Sequence, residues 1–258
     1  MCYCILKMKK KKYKHLVLYK LFSSLPKKYL NFFNSFFRFK LHYHINYLLK
    51  KDLLIDVVYD IGAYEGEWSH FMQNTCLKNS SFYLFEANNK HEHIIKSRGF
   101  KYHMGVLSDE IKNVNFYSKN HQGDSYYLEQ TNYYEKDLEP LSLKTDTLDK
   151  IILEKNFKLP DLIKMDTQGS ELDILKGASK SIDKCKLIYL ECPVINYNKN
   201  SPNFVNYIEY LDSLGFIPLD VCDIAYVDKI LIQMDILFIK KNLVNKIFKR
   251  DKILNILN

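Results

Sequence analysis

The feature that most constrains this chain is an apolar run that stops at an acid and two glycines. Leu53 to Asp60 is a near-continuous apolar stretch centred on Val57-Val58-Tyr59. Asp60-Ile61-Gly62-Ala63-Tyr64-Glu65-Gly66 follows, and then a helical pattern over residues 65–76. A strand apolar at successive positions is buried on both faces, which is the condition of a parallel sheet covered by helices. Gly62 and Gly66 let the backbone take positive φ and approach a ligand closely. The helix that opens there turns its free N–H groups toward the same cleft.

The rest of the chain repeats the alternation. Strands are expected at Ser81–Glu86, Lys101–Leu107, Val114–Ser118, Ser142–Thr145, Pro160–Asp166, Lys186–Glu191, Phe216–Val221 and Ile232–Lys240. Helices are expected at Asn88–Arg98, closed by Gly99, and at Leu148–Lys155, Ser170–Ala178 and Phe204–Leu214. Residues 119–142 are polar, rich in Tyr and Asn, and read as a long loop. Strands alternating with helices imply an α/β domain with a mostly parallel sheet and ligands beyond the carboxyl ends of the strands.

Charge divides the chain of 258 residues into three parts. Residues 1–51 carry 12 Lys and Arg38 with no acid; residues 52–239 hold 19 basic and 29 acidic residues; residues 240–258 hold six basic and one acidic. The expected organisation is a basic, aromatic-rich helical extension over 1–51, a domain over 52–240 and a basic tail over 241–258. The extension has three readings: peripheral contact with an anionic membrane, packing on the domain, or a compositional bias toward Lys. Nucleic acid is not expected as a partner, because Lys outnumbers Arg 35 to 3 and Arg dominates base and phosphate recognition. No stretch of 18 uncharged apolar residues occurs, and Lys14, Lys20, Lys27 and Lys28 interrupt any signal-peptide core. The six cysteines form no C-x-x-C pair. Reduced thiols and a cytoplasmic location, with peripheral attachment to the inner membrane face as an extension of it, are the expectation. The H-x-H pairs His42/His44 and His91/His93 fall in helical patterns, so no metal site is expected.

Four acids fall at strand ends. Asp60 would repel a pyrophosphate and suit a cation, such as the amino group of S-adenosylmethionine. The glycine spacing is G-x-x-x-G, not the G-x-G-x-x-G of dinucleotide sites. Glu86 ends the second strand, 20 residues after Gly66, where an acid accepts from both ribose hydroxyls of a nucleoside. Asp109, in Val106-Leu107-Ser108-Asp109, is placed beside the adenine ring. Asp166 ends the strand next to the first one, within Lys164-Met165-Asp166-Thr167-Gln168-Gly169-Ser170-Glu171, ahead of Leu175-Lys176-Gly177-Ala178.

With these residues in view, the sequence resembles the FkbM family of S-adenosylmethionine-dependent methyltransferases from about Asp56 to Lys240. The marks are D-I-G-A-Y-E-G at 60–66, F-E-A at 85–87, V-L-S-D at 106–109, G-D-S at 123–125, T-D-T-L-D at 145–149 and K-M-D-T-Q-G-S-E with L-K-G-A at 164–178. The family usually shows an acid where this chain has Gln168, and often a second Ser where it has Tyr126. The resemblance implies a Rossmann-like α/β domain with a seven-stranded, mostly parallel sheet and helices on both faces. It implies S-adenosyl-L-methionine as cofactor, and O-methylation of a sugar, glycan or other small natural product. Cofactor contacts carry over onto Asp60, Gly62, Ala63, Tyr64, Gly66, Glu86, Ala87, Ser108 and Asp109, and substrate contacts onto Ser125, Gln168 and Glu171. Methyl transfer is an in-line displacement, to which a base adds by taking the hydroxyl proton. Asp166 and Asp124 are candidates for that role by location, and His103 and His121 by chemistry. An NAD-dependent enzyme and a membrane-docked accessory protein without activity are the competing readings.

Overall fold

The computed structural model describes residues 40–118, 123–131 and 139–248. Helix α1 (Lys40–Leu49) leads into β1 (Val57–Ile61) and α2 (Glu67–Thr75). Next come β2 (Ser81–Glu86), a 3-10 turn (Asn89–His91) running into α3 (Glu92–Ser97), and β3 (Lys101–Met104). Three short strands follow: β4 (Val106–Leu107), β5 (Asn113–Phe116) and β6 (Leu141–Asp146). The second half is α4 (Leu148–Lys155), β7 (Leu162–Met165), α5 (Glu171–Lys176), β8 (Leu187–Pro193), α6 (Phe204–Ser213), β9 (Phe216–Val227), β10 (Ile230–Lys240) and α7 (Lys241–Ile247).

The main sheet has seven strands in the order β3-β2-β1-β7-β8-β10-β9, and a three-stranded sheet, β4-β6-β5, stands beside it. The first five strands of the main sheet are mutually parallel, and β10 runs antiparallel to both β8 and β9. This is the expected α/β architecture. Strand order reverses at β1, between β2 on one side and β7 on the other, the place where such sheets open a ligand crevice.

Period-two alternation sends successive residues to opposite faces, and helices cover both. Tyr59, Ile61, Ile163, Ile188, Leu190 and Phe238 pack against α4, α5 and α6 through Leu148, Leu175 and Tyr207. Val58, Leu84, Leu162, Leu187 and Leu237 pack against α1, α2 and α7 through Leu41, Ile45 and Leu48, with Met72 and Val244. The expected boundaries at 51 and 241 therefore cut through one core: Leu48 is fully buried and Ile247 packs on the same face. His44 Nε2 adds a 2.5 Å contact to Asp220 Oδ2. Residues 1–39 and 249–258, which carry most of the basic extension and tail, lie outside the described residues.

Other departures have local causes. The strand expected over 101–107 breaks at Gly105, whose φ of 152° sends Val106 and Leu107 into the small sheet. The strand expected from Leu53 begins at Val57, although Leu53 and Ile55 are buried. Strand β9 runs on to Val227 and β10 starts at Ile230, forming a hairpin longer than apolar patterning marks.

Candidate functional site

Parallel register aligns the strand ends. Ile61 pairs with Phe85 and Met165, and Met165 pairs with Leu190, so Glu86, Asp166 and Glu191 follow in a row along one rim. Above that rim is a cleft of about 420 Å³, within the range of roughly 300–1,000 Å³ for small-molecule sites. Its walls include Gly62, Ala63, Tyr64, Trp68, Glu86 and Ala87 on one side, and Lys164, Asp166, Gln168 and Glu191 on the other. Gly105, Val106 and Leu107 close one end, and Asp124, Ser125 and Tyr126 come from the segment after β5.

The turn after β1 is tightly built. Gly62 has φ 72°, and a Cβ there would stand 1.9 Å from the Asp166 carbonyl oxygen, so only glycine lets β1 approach the end of β7. Tyr64 also takes positive φ, 51°. Its N–H donates to Glu86 Oε2 at 2.7 Å, and the Asn88 N–H donates to Glu86 Oε1 at 2.8 Å. These bonds fix the Glu86 carboxylate at the carboxyl end of β2 while leaving acceptor capacity on each oxygen. Burial pushes its carboxyl up to about 7 against the pull of those N–H donors, with Asp124 adding to the rise. Asp124 Oδ2 in turn accepts from Asn88 Nδ2 at 2.7 Å, which places it on the Glu86 side of the cleft.

Asp60 is corrected from a ligand-facing acid to an internal one. It is fully buried and absent from the cleft wall; Ser69 donates to its Oδ2 at 2.6 Å and Lys164 Nζ stands 3.1 Å from its Oδ1. Lys164 is what the sequence reading missed. A lysine inside the buried strand L-I-K-M is itself the signal. Its ammonium also donates to the Gly62 carbonyl at 3.1 Å and lies 3.8 Å from Asp166 Oδ2. Burial works against its charge, and Asp60 and Asp166 outweigh burial, holding its pKa above the ordinary lysine value.

Glu171, Ser108, Asp109 and Gly66 are also corrected; they do not line the cleft. Glu171 is buried and braces the turn after β7, accepting from Thr167 N at 2.8 Å, Gly169 N at 3.0 Å and Tyr207 Oη at 2.6 Å. Ser108 is fully buried, and a Cβ at Gly177 would stand 2.2 Å from its carbonyl oxygen, so the L-K-G-A glycine serves a close packing junction. Asp109 pairs with Lys112 at 2.6 Å, which holds its carboxyl below the ordinary value despite partial burial. The wall expected from these two is made instead by Gly105–Leu107. Gly66 caps α2 in the left-handed conformation.

The turn at 167–169 carries the far wall. Gln168 takes φ 55°, and its Nε2 donates to Asp166 Oδ1 and Glu191 Oε1, both at 2.9 Å. Its carbonyl accepts from Ser125 Oγ at 3.0 Å and Asn198 Nδ2 at 2.8 Å, so Ser125 ties the 123–127 segment to this turn. The Asp166 side chain is 42% exposed, open to a ligand. Glu191, an acid at the end of the strand expected over Lys186–Glu191 and inside the observed β8, was legible by the same logic but not singled out. His121 lies outside the described residues, and His103 sits on β3 away from the cleft wall, its Nε2 without a hydrogen-bond partner among the described residues.

The described cleft wall thus holds five carboxyls, Glu67, Glu86, Asp124, Asp166 and Glu191, against one ammonium, Lys164. Such a donor set suits a cationic ligand with hydroxyls and opposes a pyrophosphate.

No curated protein matches the chain. Among solved structures it is similar to the methyltransferase FkbM from Methylobacillus flagellatus KT, at 17% identity and TM-score 0.46, with 72% of this chain and 45% of that one covered. The chain spans less than half of that protein's length. It is also similar to magnesium protoporphyrin IX methyltransferase from Synechocystis PCC 6803 with bound SAM, at 10% identity and TM-score 0.42, covering 79% of each chain. A third similarity is to fibrillarin from Aeropyrum pernix in complex with S-adenosyl-L-methionine, at 10% identity and TM-score 0.43, covering 72% of this chain and 66% of that one. The family model of the methyltransferase FkbM domain matches residues 60–218, more than half of the sequence, and the chain belongs to the FkbM methyltransferase family.

Proposed function

We propose that the protein is an S-adenosylmethionine-dependent methyltransferase that methylates a hydroxyl of a sugar, glycan or other polyhydroxy acceptor. The observation that carries this reading is the fixed Glu86 carboxylate facing an open Asp166 across one acid-rich cleft. The residues present fit the cofactor. Glu86 would accept from the ribose hydroxyls, the Gly62–Tyr64 turn would follow the methionine portion, and Gly105–Leu107 would flank the base. When bound, the cofactor supplies a sulfonium methyl open to in-line displacement. A net-negative wall favours that cation and disfavours the two phosphates of NAD.

The chain's own residues then have three tasks. The two walls hold donor and acceptor in one line, where positioning contributes much of the acceleration. Apolar residues such as Phe116 and Ile174 limit water. Asp166 is the open carboxylate placed to take a hydroxyl proton or bind a hydroxyl pair. Ser125 and Gln168 shape the acceptor side. The segment 1–51, with 13 basic and no acidic residues, supports contact with an anionic membrane at the cytoplasmic face. Among the described residues no helix is long and apolar enough to cross a membrane.

The test is transfer of labelled methyl from S-adenosylmethionine to a panel of saccharides and polyols, with Asp166→Asn in parallel. Label in a hydroxyl acceptor with wild-type protein, reduced at least about 100-fold in the variant, is the expected result. Binding of the cofactor without transfer to any hydroxyl, alongside transfer to amines, would overturn O-methylation. Sedimentation with anionic vesicles that is unchanged on deleting residues 1–39 would overturn the membrane contact.

A further inference from the structure

The cleft floor holds a carboxyl that this chemistry leaves unused. Glu191 lies near the carboxyl end of β8, opens on the cleft, and accepts from Gln168 Nε2 at 2.9 Å and Tyr197 Oη at 3.0 Å. The same amide donates to Asp166 Oδ1, so Gln168 spends both of its hydrogens holding two carboxyls side by side. The elements packed around Glu191 bring more acid than base. Asp166 and Lys164 come from the end of β7, Glu171 from α5 and Asp235 from β10, with Asp223 of β9 acting on Asp235 in turn. Tyr189, Cys192, Tyr197 and Tyr207 add groups whose titration burial raises. Lys164 is committed to Asp60 and the Gly62 carbonyl, with Asp166 next. Glu191 makes no ion pair among the described residues. Burial, then Asp166, Asp235 and Glu171, holds its carboxyl well above the ordinary range.

We propose that the Asp166–Gln168–Glu191 array is a proton-bearing acceptor subsite: Glu191 holds a proton in the empty cleft and releases it to solvent when a cationic ligand enters. This rests on the reading that S-adenosylmethionine binds the cleft. A positive charge entering supplies the ionic partner that no described residue gives Glu191, and the proton becomes the dispensable cation. Ionised Glu191 is then a carboxylate beside Asp166, charged to take the proton that an acceptor hydroxyl loses. The device couples readiness of the base to presence of the methyl donor. Glu86 also gains ionisation on binding ribose, with either the charged donor or its neutral product, so the two sources of protons are separable by ligand.

The experiment is calorimetric titration near neutral pH of full-length protein with S-adenosylmethionine and, separately, S-adenosylhomocysteine. Each is run in phosphate and in Tris, whose ionisation enthalpies differ, so that the heat difference counts protons. Wild-type protein should release roughly half a proton or more beyond the homocysteine value when the sulfonium ligand binds. Glu191→Gln should bind both ligands and release equal numbers, while Asp235→Asn, which removes one of the charges that hold the Glu191 proton, should lower the excess. Equal release by the two ligands in wild type overturns the proposal, and that comparison needs no variant. An excess that survives Glu191→Gln overturns the assignment to Glu191. Absence of binding by either ligand to folded protein overturns the cofactor reading itself, an outcome distinct from binding without excess protons.

Discussion

Gly62 and Glu86 show how single residues set this cleft. A methyl group at position 62 has no space, since its carbon would fall 1.9 Å from a backbone oxygen and the φ of 72° adds strain. Gly62→Ala is expected to cost at least about 3 kcal/mol, read as a fall in the denaturation midpoint, or to abolish folding. Glu86→Gln keeps shape and loses charge. Hydrogen bonds to charged groups contribute about 1.5–3 kcal/mol, so affinity for S-adenosylhomocysteine should fall by roughly 10- to 100-fold with the fold intact by circular dichroism. Glu86 also sets a pH response. Its folded pKa, about 7, lies above the ordinary 4.5. The folded protein therefore binds this proton more tightly than the unfolded chain does. Its contribution to the stability of the empty protein is present below pH 4.5 and is lost as pH rises through 7. Ribose hydroxyls need the ionised form, so affinity for S-adenosylhomocysteine should rise about tenfold between about pH 6 and pH 8, and Glu86→Gln should flatten that component.

At the scale of elements, turns and packing decide what the cleft presents. The turn after β7 depends on Glu171, which satisfies two backbone N–H groups and the Tyr207 hydroxyl. Glu171→Ala would leave all three without their partner in a buried place, a cost of about 3 kcal/mol or more, measurable by chemical denaturation. The apolar runs and glycine turns made β1, β2, β7 and α4 legible, because buried parallel strands and capped helices leave strong local patterns. Ser81–Glu86 and Leu148–Lys155 coincide with the expected elements. Glu171 was misplaced in the site because an acid in a helix's first turn reads alike whether it faces ligand or backbone. Lys164 was missed and Asp60 misread because their pairing joins neighbouring strands, which no spacing within one strand reveals. Helix α1 was set apart by its charge, yet its Leu41, Ile45 and Leu48 face belongs to the core. Leu48→Ala should cost about 2–5 kcal/mol, a loss that a detachable extension would not show.

The whole molecule sorts its charge as well as its core. A basic first segment, an acidic body and a basic end place the negative residues where the cleft lies. Within that cleft the single tryptophan of the chain, Trp68, stands on the wall beside the turn after β1. Its emission should therefore change on saturation with S-adenosylmethionine and stay constant with NAD, a direct comparison of the two nucleotide readings. The fold class and the row of strand-end acids were readable from sequence, since both follow from strand order and register. The far wall of the cleft was legible only in part: Ser125 and Gln168 stood in sequence motifs, but Asn198 and Tyr197 join them only through tertiary contacts. The central claim is that this cleft is the cofactor site and that Glu86 anchors the ribose. Calorimetric titration of S-adenosylmethionine into wild-type protein and Glu86→Gln tests it most directly. One-to-one binding that weakens at least about tenfold in the variant is the expected result. Absence of binding to folded wild-type protein, or equal affinity in the two proteins, would contradict it.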